Sequence, residues 1–314
     1  MGTFLRFAIG AVLYFGFAFI SPIALVAAPL GLLLAFQSPS RREAMFASIC
    51  LTFAAGSVAL GGAGFARFEA AWVCLLAGGA VIAIAWRPPA RGGLVATGLV
   101  AVAIAAAAGI LLVGVTAFSF DELRWLAARH YGMQSRLVLS AMSRAVANAD
   151  GGAELVQRLE AGFNEVVDFV ARFLPALVLI QSVAALAAAW ALYRTVATHP
   201  EGESLPRLRD FRFSDHLIWG IVFALVALVI PGASSLRLLG GNVATFFGAL
   251  YVLRGIGVVA ALGAAAGFGG ALSTLAALLA TVFLLPLVMF GALALGVSDT
   301  WVDWRKLAKR AQGR

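Results

Sequence analysis

The sequence predicts an all-α fold: a polytopic helical membrane bundle of about 8–10 transmembrane helices with one amphipathic helical insert. Apolar runs recur from Phe7 almost to Trp301, at the length of about 20 residues that crosses a hydrocarbon core as a helix. Of the 314 residues, 62% are hydrophobic and 12% are charged. Soluble domains have about 45–50% apolar and about 25% charged residues, so this composition excludes a soluble fold.

Residues 1–118 are predicted to form the N-terminal group of transmembrane helices. The run Phe7–Phe36 is too long for one span and contains Ser21-Pro22, which predicts two short helices joined by a tight turn. The spans that follow are predicted at Met45–Leu60, Ala70–Trp86 and Leu94–Phe118. A short segment with Arg67 and Glu69 is expected to lead into the span Ala70–Trp86.

Residues 119–172 differ from the rest of the chain because charged residues are interspersed among the apolar ones. The segment opens with a capping box from Ser119 to Glu122, and Asp150-Gly151-Gly152 supplies a turn. Its second half has apolar residues at helical spacing: Leu155, Leu159, Phe163, Val167 and Val170. This pattern predicts an extramembrane amphipathic helical hairpin on the outer side.

Residues 173–298 are predicted to form the C-terminal transmembrane helices, and 299–314 a basic cytoplasmic tail. The predicted spans are Pro175–Tyr193, His216–Ile230, Asn242–Ala266 and Leu272–Leu295.

Short loops rich in arginine predict the orientation, because basic residues favour the cytoplasmic side. An inner N-terminus places Arg41, Arg42, Arg87 and Arg91 inside. The predicted location is a bacterial cytoplasmic (inner) membrane with both termini in the cytoplasm. The loop before His216 is predicted to lie inside, however, and the three predicted spans after it would place the basic tail outside. Either a segment near Pro231–Gly241 is re-entrant, or the chain breaks at Arg254-Gly255 and forms an extra pair of short helices.

No motif predicts catalysis or a cofactor. The sequence has no phosphate-binding Walker loop, HExxH or GxSxG pattern. Cys50 and Cys74 lie in apolar segments, and the three histidines, His130, His199 and His216, lack metal-ligand spacing. The net charge of +8 comes mainly from loops and the tail, which indicates topology rather than nucleic-acid binding. We therefore expect no enzyme, no metal and no cofactor.

Polar residues inside apolar segments are the candidate substrate-binding residues, because each must be paired, hydrogen-bonded or facing water. Arg254 could provide a counter-charge for an anionic group, or it could snorkel or mark a helix break at the inner interface. Asn242 lies twelve residues earlier, about 18 Å along an unbroken helix. Gln181 and Ser182 could line a cavity or form hydrogen bonds between helices.

Several blocks of the sequence resemble the YybS-like bacterial predicted membrane protein family, over nearly the whole chain. The blocks are Phe173-Leu174-Pro175-Ala176-Leu177, Phe211-Arg212-Phe213, Leu250-Tyr251-Val252-Leu253-Arg254-Gly255 and the stretch from Gly296 to Lys306. This family is distantly similar to the substrate-binding components (S components) of energy-coupling-factor transporters. The resemblance implies a bundle that captures a small molecule from outside and docks a coupling subunit inside. Arg254 stands where family members often carry Gln.

Two functions of different class follow. The first is a small-molecule transporter or an S-component-like transporter subunit, whose partner would be an ATP-driven coupling subunit. The alternative is a non-transporting structural or assembly subunit of a membrane complex, which the basic tail and the amphipathic insert favour. In both cases the surrounding partner is the lipid bilayer, and no nucleic acid is expected.

Overall fold

The computed structural model describes residues 30, 41–60, 64–86, 94–116, 120–145, 152–197, 202–231, 234–265 and 285–307. Within these ranges every regular element is a helix and no strand occurs, which confirms the all-α prediction. The two short helices predicted within Phe7–Phe36 lie outside the described residues, apart from Leu30. The chain divides into two compact units, one comprising Met1–Pro88 and Thr97–Pro200, the other Pro89–Ala96 and Glu201–Arg314.

The first unit contains six described helices. They are α1 (Arg41–Leu60), α2 (Phe65–Trp86), α3 (Leu94–Thr116, in this unit from Thr97 on), α4 (Phe120–Ala145), α5 (Gly152–Arg172) and α6 (Leu174–Val196). Helix α1 packs along α2, and α4 packs along α5. Small residues allow close packing in this unit, because a Cβ atom added to Gly79 of α2 would collide with the backbone of Ala101 in α3.

The second unit is built around one long helix. It contains α7 (Ile218–Val229), α8 (Ser234–Ala265) and α9 (Leu285–Ser298), with short 3-10 turns at Leu208–Asp210 and Asp215–Leu217. Helix α8 packs against α7, α9 and the turn Leu208–Asp210. The long helix α8 therefore contacts both of the other described helices of this unit.

Four of the described helices are long and apolar enough to cross a membrane: Phe65–Trp86, Val95–Leu112 within α3, Leu174–Val196 and Ser234–Ala264 within α8. Shorter apolar helices occur as well, among them 215–229, which includes α7. The 12 residues of α7 span about 18 Å, less than the hydrocarbon core of about 30 Å. The segment predicted as the span His216–Ile230 is thus a short helix that begins with a 3-10 turn.

Helix α2 begins at Phe65, five residues before its predicted start at Ala70. The prediction that a short segment with Arg67 and Glu69 precedes the helix was therefore wrong, because both residues lie in its first turns. The two charged residues do not interrupt the helix because they project in different directions: Arg67 is exposed, whereas Glu69 is buried. Residues two apart on a helix do not share a face.

Helix α8 continues without interruption through Arg254-Gly255. The alternative in which the chain breaks there is wrong. The guanidinium group of Arg254 has hydrogen-bond partners within the protein, so it needs no helix end to reach water. Gly255 allows α9 to approach closely instead of ending the helix.

Candidate functional site

A hydrogen bond between two membrane-spanning helices involves Ser182, one of the predicted substrate-binding residues. The indole Nε1–H of Trp72 in α2 donates to Ser182 Oγ in α6 at 2.9 Å, and Ser182 Oγ–H donates to the Val178 carbonyl oxygen at 2.6 Å. Ser182 is fully buried, and Gln181 beside it is half-buried. Ser182 thus connects α2 to α6, in line with its interpretation as an interhelical hydrogen-bonding residue.

Glu69 lies on the same helix as Trp72, three residues earlier, and its side chain is buried with 3% of the residue exposed. Phe65, Glu69 and Trp72 follow the i, i+4, i+7 spacing of one helix face. In the part of the chain that the structure describes, no group forms a hydrogen bond or ion pair with the Glu69 carboxylate. An ionisable side chain in an apolar helix is a signal of function, so this residue belongs to the candidate site.

Five aromatic side chains on α2 and α4 lie close to one another, and we call them the aromatic cluster: Phe65, Phe68, Trp72, His130 and Tyr131. The Phe65 ring lies 5.5 Å from that of Tyr131 and 5.3 Å from that of His130, between centroids. Phe68 stacks on Trp72 at 6.4 Å. Burial, together with the negative charge of Glu69, raises the pKa of Tyr131 to about 12, so the phenol stays neutral. Glu69 and the aromatic cluster together therefore combine one carboxylate with several aromatic rings.

Arg254 is the centre of a second polar site, in the other unit. Its Nε–H donates to Asp299 Oδ2 at 2.9 Å, one terminal nitrogen donates to Asp215 Oδ1 at 2.7 Å, and the other donates to the Asp299 carbonyl oxygen at 2.9 Å. Arg254 is 2% exposed and the Asp299 side chain is fully buried. The guanidinium also lies over the ring of Phe213, 5.3 Å from its centroid. All three guanidinium nitrogens thus have partners within the chain.

Arg305 brings a second buried guanidinium to the same aspartate. One terminal nitrogen of Arg305 lies 3.8 Å from Asp299 Oδ2 and donates to the Arg254 carbonyl oxygen at 3.3 Å. The other donates to the Phe211 carbonyl oxygen at 2.9 Å. We call Arg254, Asp215, Asp299 and Arg305 the arginine network; it joins the segment before α7, the middle of α8 and the turn after α9.

The four predicted substrate-binding residues lie in two pairs, one in each unit, and of these only Gln181 and Ser182 are neighbours. Asn242 and Arg254 share α8, where the Asn242 side-chain amide donates to the Leu238 carbonyl oxygen one turn earlier, at 2.9 Å. Gln181 and Ser182 share α6 in the other unit. Sequence reasoning missed Glu69, Asp215 and Asp299. Glu69 could have been found by extending the apolar helix toward Phe65, whereas nothing in the local sequence pairs either aspartate with Arg254.

A more exposed pair at the edge of the arginine network predicts a pH effect. Partial burial alone would raise the pKa of Asp303, but the Arg212 guanidinium, at 2.5 Å, and Lys306 lower it from 3.8 to about 2. A carboxyl whose pKa is lower in the folded state stabilises the protein above its unfolded pKa, and this contribution is lost as the pH falls through about 2. Both partners are partly exposed, so the effect is below about 1 kcal/mol.

We therefore expect D303N to melt slightly below the wild type at pH 6, with the difference shrinking as the pH falls from 4 toward 2. Thermal unfolding of the full chain in detergent, followed by tryptophan fluorescence, measures this difference. A constant difference across that range would contradict the assignment of Asp303 as an ionised partner of Arg212.

Comparison with known families agrees with the membrane character of the fold. The family model described as Predicted membrane protein (DUF2232) matches residues 7–300. The chain belongs to this family. The match extends over both units of the DUF2232 protein, and so includes both the aromatic cluster and most of the arginine network. No curated protein and no solved structure matches the sequence significantly.

Proposed function

We propose that this DUF2232 protein is the substrate-binding subunit of a small-molecule transporter in a bacterial inner membrane, with both termini in the cytoplasm. The observation that carries the proposal is the buried Glu69 carboxylate, on an apolar helix and without a partner in the described residues. A charge buried in this way costs several kcal/mol unless it is neutralised or paired, and such residues commonly mark substrate or ion sites.

In this proposal the two polar sites have different roles. Glu69, Gln181 and Ser182 belong to the unit that binds the small molecule, where Trp72 connects α2 to α6. The Arg254 guanidinium, in contrast, already donates hydrogen bonds to Asp215 and Asp299. We therefore assign the arginine network to holding its unit together rather than to capturing an anionic ligand.

The proposal also requires a partner. The sequence contains no nucleotide-binding motif, so uptake against a gradient would need an ATP-driven coupling subunit. The resemblance to substrate-binding components of energy-coupling-factor transporters supports the same arrangement.

Native purification tests this function. The full chain, isolated from its own membrane in mild detergent, is analysed by mass spectrometry for proteins and small molecules that co-purify. We expect a stoichiometric ATPase together with a retained metabolite. A stoichiometric membrane assembly with neither an ATPase nor a metabolite would contradict the transporter proposal.

That second result would favour a non-transporting structural or assembly subunit. The observation in favour of this alternative is the amphipathic pair α4 and α5, which packs together yet leaves large apolar side chains exposed. Trp125 is 56% exposed, Leu137 67% and Val166 57%. Apolar residues on charged helices are typical of contacts with a membrane surface or with another protein.

A further inference from the structure

We propose that Glu69 and the aromatic cluster bind an organic cation, a quaternary ammonium or a protonated amine, as the substrate of this protein. The proposal rests on the transporter function above and specifies its substrate class. It is carried by the position of a buried carboxylate, without a partner among the described residues, on the helix face that also presents Phe65 and Trp72.

No cationic side chain forms an ion pair with Glu69 in the described structure. Arg67 is two residues away on α2 and exposed, so it projects from a different face of the helix. The His130 ring nitrogen Nε2 is 3.0 Å from the Gln134 side-chain nitrogen, and this contact lies on the exposed side of α4. Tyr131 is electrostatically coupled to Glu69, but the phenol is neutral and cannot supply a positive charge.

The surroundings of Glu69 suit an organic cation better than a metal ion. Hard cations such as Mg²⁺ and Ca²⁺ need several oxygen ligands. No group of three histidine, cysteine or acidic side chains that could hold a metal occurs in the described part of the chain. The neighbouring side chains offer ring faces instead, and these attract organic cations electrostatically when water is excluded. A carboxylate with adjacent rings therefore provides both a counter-charge and a weakly hydrated surface for alkylammonium groups.

The test compares binding of charged probes with their neutral isosteres. The purified full chain in detergent is titrated calorimetrically with choline, benzyltrimethylammonium and phenethylamine. The neutral controls are 3,3-dimethylbutan-1-ol for choline, neopentylbenzene for benzyltrimethylammonium and 2-phenylethanol for phenethylamine, which have similar shapes without the charge. We expect the wild type to bind at least one of the cations, and to bind it at least about tenfold more tightly than its neutral counterpart, because charge-assisted contacts discriminate by that amount or more.

Substitutions locate the binding to the proposed site. E69Q preserves the shape of the side chain and is expected to weaken cation binding at least about tenfold. E165Q removes a carboxylate from the exposed surface of α5 and is expected to leave binding unchanged. F68L removes one ring of the aromatic cluster, keeps Glu69, and should weaken binding by a smaller factor; it decides the matter if E69Q does not fold.

Three results would overturn the assignment: no binding of any of the cations, equal binding of a cation and its neutral isostere, or unchanged binding in both E69Q and F68L. A neutral or anionic metabolite that co-purifies and binds independently of Glu69 would refute the cation proposal while leaving the transporter function intact. Cation binding by a chain that never associates with a coupling subunit would refute the transporter function and leave this site standing.

Discussion

Replacing Arg254 with methionine, R254M, is expected to lower the free energy of unfolding by about 3–5 kcal/mol, the typical result of removing one partner of a buried ion pair. The substitution leaves the Asp299 carboxylate, whose side chain is fully buried, with only the more distant Arg305 guanidinium at 3.8 Å. It also removes the donor to the Asp299 carbonyl oxygen. Thermal or denaturant unfolding of the purified chain in detergent measures the loss.

A matched control separates burial from charge. Arg158 forms an ion pair with Glu154 at 2.6 Å, on the exposed surface of α5, with side chains 77% and 68% exposed. The same change there, R158M, is expected to cost at most about 0.5 kcal/mol.

The two aspartates of the arginine network should also differ. D299N should be severely destabilising because two buried guanidinium groups lose their shared carboxylate, whereas D215N should have a small effect because the Asp215 side chain is 61% exposed. If R254M lost no more unfolding free energy than R158M, the arginine network would not stabilise its unit.

The network also illustrates what the sequence could and could not predict. The length of the apolar runs predicts the helices of this protein well: the span predicted at Pro175–Tyr193 is observed as Leu174–Val196. The charge of Arg254 in an apolar segment marked it as informative. Its partners, however, lie 39 and 45 residues away in the chain, so only tertiary packing could identify them.

Glu69 was missed for a different reason. Because Arg67 and Glu69 interrupt the apolar run, the sequence predicts a helix that starts at Ala70, after Glu69. In the structure the exposed Arg67 and the buried Glu69 both belong to the first turns of α2, because a helix can direct two nearby charges to different faces. Hydropathy alone cannot distinguish a charge at the end of a helix from one buried within it.

The contact between α8 and α9 supports the second large effect, in which G255A is expected to lower the free energy of unfolding by about 1–3 kcal/mol or more. A Cβ atom added at Gly255 would collide with the backbone of Ala292, and one added at Gly296 would collide with the Tyr251 carbonyl oxygen. Two glycines, one on each helix, thus allow the backbones to touch. Backbone atoms cannot escape by changing rotamer, so the helices must separate.

Gly248 and Gly263 on α8 provide the control, since a Cβ atom added at either would meet nothing within 4 Å among the residues that the structure describes. G248A and G263A are expected to be neutral or to stabilise the helix by up to about 1 kcal/mol, as alanine favours helix over glycine. Unfolding of the three variants under the same detergent conditions gives the comparison. Equal stability of G255A and G248A would contradict the close packing of α8 on α9.

The two large effects should be coupled rather than additive. Asp299 follows α9 directly, so a displacement of α9 by G255A would also draw its carboxylate away from Arg254, whose Nε now lies 2.9 Å from Asp299 Oδ2. Once the helices have separated, the Arg254–Asp299 ion pair is already weakened, so R254M removes a smaller stabilisation. In a double-mutant cycle, the double variant should therefore lose at least about 0.5 kcal/mol less unfolding free energy than the sum of the losses in R254M and G255A. Strict additivity would mean that the glycine contact and the arginine network stabilise the unit independently.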